Sequence, residues 1–222
     1  MTQGHHPFDV GGTSLGRDLN IKENNFSTDD LRLHEYEYDA DDLIMQMLKH
    51  DPKERPDTTE VLRHPYFWDV ADKLEFLCEV SDCFEREKTS INNIFDESAV
   101  RTVAEKESLE RLAALEALAP NVIGPSKDFH RALPKSFVSE MGKQRKYMGS
   151  KMIDLLRVIR NKKNHFHDLP DDVKELMLGG STRGYYEFWA KRFPSLLINC
   201  HCLLLERGLV ERFRLERYFE QM

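Results

Sequence analysis

No stretch of the 222 residues approaches the ~20 continuous apolar positions that a membrane-spanning helix needs. The opening MTQGHHPFDVGG has no basic n-region and no apolar h-region, so secretion through this terminus is not suggested. Cysteine is scarce. Cys78, Cys83, Cys200 and Cys202 give C-x4-C and C-x-C spacings, neither of them a zinc-finger or thioredoxin-like pattern. Reduced, intracellular thiols are the simpler expectation, and Cys200 and Cys202 sit in the apolar run SLLINCHCLLLERG, where small buried thiols are common. The glycine-rich phosphate loops G-x-G-x-x-G and G-x-x-x-x-G-K-[ST] are missing, as are H-R-D and D-F-G, which excludes an ATP-cradling loop and a kinase catalytic loop. No segment alternates polar and apolar residues as a half-buried strand does. With 40% hydrophobic side chains there is enough apolar surface for a core, so global disorder is excluded.

The chain is long enough for one compact domain or two small ones. Its formal charge of -7 argues at first against a nucleic-acid partner. The distribution argues otherwise. Met1–Glu60 holds 14 Asp+Glu against 6 Lys+Arg, whereas Met141–Asp168 holds 8 Lys+Arg against 2 Asp. A phosphate backbone meets a local patch rather than a total, although a solvated basic helix face carries the same composition.

Apolar spacing predicts helices almost throughout. The first 30 residues, punctuated by Pro7, Gly11-Gly12, Gly16 and Asn24-Asn25, read as a long loop with at most short helices. Helices are expected at Asp39–Lys49, from Pro56 through Leu62, and from Trp68 to about Glu87 on the stripe Val70, Leu74, Leu77, Val80 and Phe84. Asn92–Asp96 reads as a connector, Val100–Leu118 as helix, Pro120–Pro134 as less regular and Ser136–Met141 as helix again. Gly149-Ser150 marks a boundary, after which Met152, Leu155, Leu156 and Ile159 form a buried stripe to about Arg160. Further helices are expected from Leu169 through Met177, broken by Gly179-Gly180, then at Tyr185–Phe193 and Pro194–Glu206, with Gly208 as a stop. Trp68 and Trp189 are expected in the core. The fold class is all-α.

Polar chemistry concentrates in YMGSKMIDLLRVIRNKKNHFH, Tyr147–His167. Arg160, Asn161, Lys162, Lys163, Asn164 and His165 put guanidinium, amide, ammonium and imidazole groups at a helix C-terminus and the loop after it. Arginine and lysine can donate to phosphate oxygens, asparagine can orient, and histidine titrates in the range a proton donor needs. RNA carries its own nucleophile, the 2′-hydroxyl, so metal-free cleavage needs only an acid, a base and phosphate charge stabilisation. A basic helix cap with no catalysis fits the same residues. His165 and His167 lack the Cys, Asp or Glu pattern that would complete a metal site, so none is expected.

Two parts of the chain carry a resemblance. GHHPF and DADDLIMQMLKHDPKERPDTTEVLRHPYFW resemble the closing part of a protein kinase C-lobe, with Arg55 at that lobe's usually buried arginine, whose glutamate partner would lie upstream. WDVADKLEFLCEVSD, YMGSKMIDLLRVIRNKKNHFHDLP and FWAKRFPSLL are similar to the kinase-extension nuclease (KEN) domain of IRE-type unfolded-protein sensor kinase/endoribonucleases and of the 2-5A-dependent ribonuclease. The resemblance divides the chain into a kinase-like remnant at 1–68 and a helical KEN ribonuclease domain at 69–222. Phe129 stands about where relatives carry tryptophan, and Met148-Gly149-Ser150 replaces a fuller glycine-rich turn.

That resemblance implies a metal-independent endoribonuclease leaving 2′,3′-cyclic phosphate and 5′-hydroxyl ends, in mRNA processing or stress signalling. His165 would protonate the 5′-oxygen, Tyr147 would help activate the 2′-hydroxyl, Arg160 and Asn161 would hold the scissile phosphate, and Lys162 would support substrate binding. RNA is the implied partner, together with a second copy or a full-length kinase/ribonuclease relative, because the family dimerises. Nucleotide binding biases that association in full-length relatives. Neither the ATP-binding lobe nor the catalytic loop is carried here, so neither a cofactor nor kinase activity is expected. The chain is expected to be a piece of a larger sensor, cytoplasmic or on the cytosolic face of a membrane. The alternative is a catalytically quiet KEN-fold module for dimerisation or RNA binding.

Overall fold

The architecture comes from a computed structural model, which describes residues 6–10, 16–28, 37–91, 101–141, 146–175, 177 and 181–220. Among the described residues every regular element is helical, the class that the sequence periodicity predicts. The chain divides into two compact units, Met1–Trp68 and Asp69–Gln221.

In the first unit, α1 (Arg17–Glu23) is tied to the turn before it by an Arg17–Asp9 ion pair of 2.6 Å and by the Asn20 amide on the Phe8 carbonyl at 2.8 Å. Helix α2 (Glu37–Met47) meets the chain again at His64, whose Nε2 lies 3.0 Å from Asp42. The same ring accepts from the Tyr66 N–H through Nδ1, so its proton resides on Nε2 and points at the carboxylate. Helix α3 (Thr58–Arg63) starts with a reciprocal capping box between Asp57 and Glu60. Arg55 is exposed and donates to the carbonyls of Lys49 and His50, a different environment from the buried one its motif suggests. Trp68 is half-buried, its indole donating to the Arg63 carbonyl at 2.8 Å.

The second unit is organised around α4 (Val70–Thr89), which begins where Asp69 accepts from the Asp72 N–H. Of the predicted stripe, Leu74, Leu77, Val80 and Phe84 are buried and Val70 is half-buried, but Phe76, Cys78, Ser81, Cys83 and Glu87 are buried as well. A helix buried on more than one face needs neighbours on several sides. It has α5 (Val103–Glu116), α8 (Met152–Asn164), α10 (Thr182–Ala190) and α11 (Leu196–Glu206) packed against it. Between α5 and α8 run α6 (Ala119–Val122) and a 3-10 turn at Phe129–Ala132, in the stretch expected to be less regular, and then α7 (Lys135–Met141), where helix was expected. Short α9 (Asp171–Glu175) follows α8, and α12 (Val210–Phe213) follows α11 after a turn that Gly208 makes at φ 59°. The predicted connector at 92–96 and the Gly179-Gly180 break lie outside the described residues.

Burying this interior supplies the stability, because apolar area removed from water contributes about 25 cal/mol per Å². Trp189, Phe137, Phe188 and Phe193 form one aromatic cluster with ring centroids 5.2 to 6.3 Å apart. Glu87 is one of the charged side chains buried in this core. Burial raises its pKa, but hydrogen bonds from Ser108, Arg111 and Arg212 prevail and hold the carboxyl below its ordinary range.

Candidate active site

Helix α8 carries most of the reactive side chains, and its position is set at both ends by other elements. Lys151 offers no side-chain cap at the N-terminus. Instead the Glu116 carboxylate of α5 accepts from the N–H groups of Met152 at 3.0 Å and Ile153 at 3.2 Å, where the helix dipole favours negative charge. Near the other end the buried Tyr185 hydroxyl donates to the Ile159 carbonyl at 2.6 Å. Burial raises that phenol well above its usual pKa, so it stays a donor. Between these anchors Met152, Leu155, Leu156, Val158 and Ile159 are fully buried. The helix continues past the apolar stripe to Asn164, through the basic turn expected at its C-terminus.

This extension puts Arg160 and Asn161 on the helix itself. The Asn161 amide nitrogen donates to the Tyr147 hydroxyl at 3.0 Å, while its oxygen accepts from Arg160 Nε and a terminal nitrogen at 3.2 and 3.1 Å. Arg160 in turn forms an ion pair with Asp82 of α4. Tyr147, Arg160 and Asn161 are thus brought together into one hydrogen-bonded row.

The Tyr147 loop is fixed independently. Asp154, buried in the first turn of α8, accepts from the Met148 N–H at 2.7 Å and pairs with Arg157 at 2.8 Å. Arg157 also pairs with Glu85 at 3.0 Å, and its guanidinium lies 5.8 Å from the Tyr147 ring centroid. On the far side Gly149 accepts from the Phe129 N–H at 2.9 Å. A Cβ at Gly149 would overlap the Asp128 carboxyl and come within 2.7 Å of His130 Nδ1, so any larger residue there would force those two side chains to shift.

His165 caps α8, its N–H donating to the Asn161 carbonyl at 3.0 Å. The imidazole is 63% exposed, with Nδ1 3.3 Å from the Asp168 carboxylate on the following 3-10 turn. Lys162 is not brought to this group. It is 8% exposed and its ammonium donates to the Glu140 carbonyl, because its position on α8 faces the interior. His167 is exposed on the turn after His165.

Sequence reasoning missed Asp82, Glu85, Glu116, Asp154 and Arg157 as supports. Only Asp154 and Arg157 left a local signal, an acid and a base three apart on a helix. The positive balance of this segment is partly spent internally: Arg157 and Arg160 are paired with acids of α4, and Lys162 is buried. Lys146 and Lys151 remain exposed. Among the described residues no group of three or more His, Cys, Asp or Glu side chains is placed to hold a metal ion. Burial pushes the Cys78 and Cys83 thiols up to about 11 and Cys200 to about 12, so none of these supplies a thiolate near neutral pH. No helix among the described residues is long and apolar enough to cross a membrane.

Residues 73–219 match the family described as Ribonuclease 2-5A. Over 99% of its length the chain is 43% identical to the serine/threonine-protein kinase/endoribonuclease ireA of Aspergillus fumigatus, covering 19% of that protein. It is 41% identical to the serine/threonine-protein kinase/endoribonuclease IRE1 of Hypocrea jecorina, covering 16% of it. It is 37% identical to the Schizosaccharomyces pombe protein named sensor for unfolded proteins in the ER ire1, covering 18% of it. The chain therefore spans under one fifth of the length of these relatives.

Proposed function

The chain belongs to the Ribonuclease 2-5A family, and from that premise we propose that it is a metal-independent endoribonuclease whose reacting groups are Tyr147, Arg160, Asn161 and His165. The observation that carries this is the Asn161 side chain, which joins the Tyr147 hydroxyl to the Arg160 guanidinium one turn before His165. The 2′-oxygen of RNA attacks the adjacent phosphorus as its proton passes to solvent water, the Tyr147 hydroxyl hydrogen-bonding to the 2′-hydroxyl and orienting it for attack. Arg160 and Asn161 stabilise the charge that develops on the non-bridging oxygens; a guanidinium has five N–H groups, so pairing with Asp82 leaves donors for phosphate. The bond to the 5′-oxygen breaks as His165 delivers a proton to it. The products are a 2′,3′-cyclic phosphate and a 5′-hydroxyl. Lys146 and Lys151, exposed on either side of the Tyr147 turn, add sequence-independent attraction for the RNA backbone.

The first unit is proposed to be the closing part of a protein kinase C-lobe, supported by alignment to proteins named as kinases over 99% of the chain. RNA and a second copy, or a longer relative, are the proposed partners, in a cytoplasmic setting or at the cytosolic face of a membrane. Incubation with a labelled stem-loop RNA in EDTA, over a protein concentration series, tests the proposal. Cleavage to cyclic-phosphate ends is expected, rising steeply with concentration and abolished by His165→Ala. Cleavage unchanged by that substitution removes His165 from the mechanism, and a flat concentration dependence by a monomer refutes the dimer requirement.

The Arg160–Asp82 pair favours one second reading, a catalytically quiet module for dimerisation or RNA binding, because the guanidinium is already claimed by a carboxylate. Intact RNA alongside demonstrated dimerisation would support it.

A further inference from the structure

We propose that Asp82 is a positioning residue, acting through Arg160 and Asn161 to aim the Tyr147 hydroxyl; this rests on the ribonuclease reading above. The argument begins with a symmetry problem. A primary amide can rotate by half a turn at little cost, exchanging its oxygen for its nitrogen. Asn161 performs its bridging role only with the oxygen toward Arg160 and the nitrogen toward Tyr147. The guanidinium makes that choice, since it has donors alone and can face only the amide oxygen. With the amide nitrogen committed to Tyr147, the phenol oxygen is the acceptor of that bond, and its own proton is directed elsewhere.

What holds the guanidinium there is Asp82. Arg160 is 15% exposed on its side chain, and its Nε and terminal nitrogens are shared between the Asn161 oxygen and the Asp82 carboxylate. Asp82 stands on α4, the element against which α8 packs, 78 residues away in sequence. The row therefore runs from a carboxylate on one rigid helix, through a guanidinium and an amide on another, to a phenol on a loop. A second rung repeats the arrangement: Glu85 on α4 pairs with Arg157 on α8, whose guanidinium lies toward the Tyr147 ring. Both rungs converge on Tyr147, one toward its hydroxyl and one toward its ring.

Asp82→Ala and Asp82→Asn in the full chain, with His165→Ala as the control for chemistry, test the proposal. Asp82→Ala is expected to lower kcat by about 10- to 100-fold, the size of effect that misplacing a reacting group produces. KM for RNA should be unchanged or lower, because a carboxylate is removed from beside a site for an anion. Asp82→Asn keeps an oxygen acceptor for Arg160 and should restore most of kcat. Nuclear magnetic resonance of the Asn161 side-chain amide supplies a readout independent of cleavage: its shifts should move in Asp82→Ala and return toward wild type in Asp82→Asn. A rise in KM at unchanged kcat, or faster cleavage by Asp82→Ala, overturns the proposal; the latter would make Asp82 a competitor of phosphate. An unperturbed Asn161 amide in Asp82→Ala overturns it as well. If the wild type and His165→Ala alike fail to cleave, the ribonuclease reading falls, and the amide resonances alone decide whether Asp82 orients the row.

Discussion

Replacing Glu116 by alanine tests whether α8 is held in place by a carboxylate from another helix. Several effects compete, and their sum has a definite sign. Glu116 lies in the last turn of α5, where negative charge opposes the helix dipole, and alanine is the better helix former. Both considerations favour the variant by a few tenths of a kcal/mol. Against them stand two charge-assisted hydrogen bonds to the Met152 and Ile153 N–H groups. At a half-buried position each contributes about 1 kcal/mol, and the favourable placement at the α8 N-terminus adds roughly 0.5 kcal/mol. The net expectation is a loss of about 2 kcal/mol, or roughly 4–8 °C in Tm for a protein of this size. Glu116→Gln keeps one acceptor oxygen without the charge and should fall about midway. Thermal and urea denaturation of both variants, with m compared to exclude a change in the unfolded state, provide the measurement. An unchanged or raised Tm in Glu116→Ala would refute the reasoning, since it is what an uncoupled surface glutamate gives.

Three further outcomes are expected. Gly149→Ala should lose cleavage and about 1–3 kcal/mol of stability by overpacking against Asp128 and His130; adding Asp128→Ala should recover part of both, and no recovery in the double variant would place the defect elsewhere. The folded-state pKa of Glu87 is depressed, so its contribution to stability is complete above the ordinary glutamate pKa of about 4.3 and is lost as pH falls through the lower, folded value. Glu87→Gln should therefore be less stable than wild type at pH 7, with the gap closing in acid, as urea midpoints across pH would show; a gap independent of pH contradicts the assignment. Under native conditions a thiol reagent at pH 8 should modify half-buried Cys202 before the buried Cys78, Cys83 and Cys200, whose thiols burial keeps protonated; equal rates in peptide mapping would argue against that burial.

The helical class and most helix positions were legible because the cause of each is local. Apolar residues recurring every three or four positions fold into one face wherever they occur, and Thr102 with Glu105, or Asp57 with Glu60, cap their own helices. The candidate residues of α8 were legible for the same reason: Arg160, Asn161 and His165 are neighbours along one helix end. The apolar stripe runs to about Arg160, and the polar residues expected at the helix C-terminus do continue the helix to Asn164. Lys162 was expected from the family resemblance to support substrate binding; successive helical positions point some 100° apart, and this one points inward to the Glu140 carbonyl.

By itself the sequence determined an all-helical chain, a basic segment and a contiguous set of reactive side chains, since periodicity and adjacency are properties of the chain alone. Tertiary structure decided which of those charges remain available. Arg157 and Arg160 count as two positive charges along the chain; in the fold they are rungs on Glu85 and Asp82. It also decided that Tyr147 meets Asn161, fourteen residues away, through a loop that depends on Gly149 passing close to Asp128. Interactions between helices depend on packing angle and register, which arise only when the buried faces come together, and no spacing rule within one segment contains them.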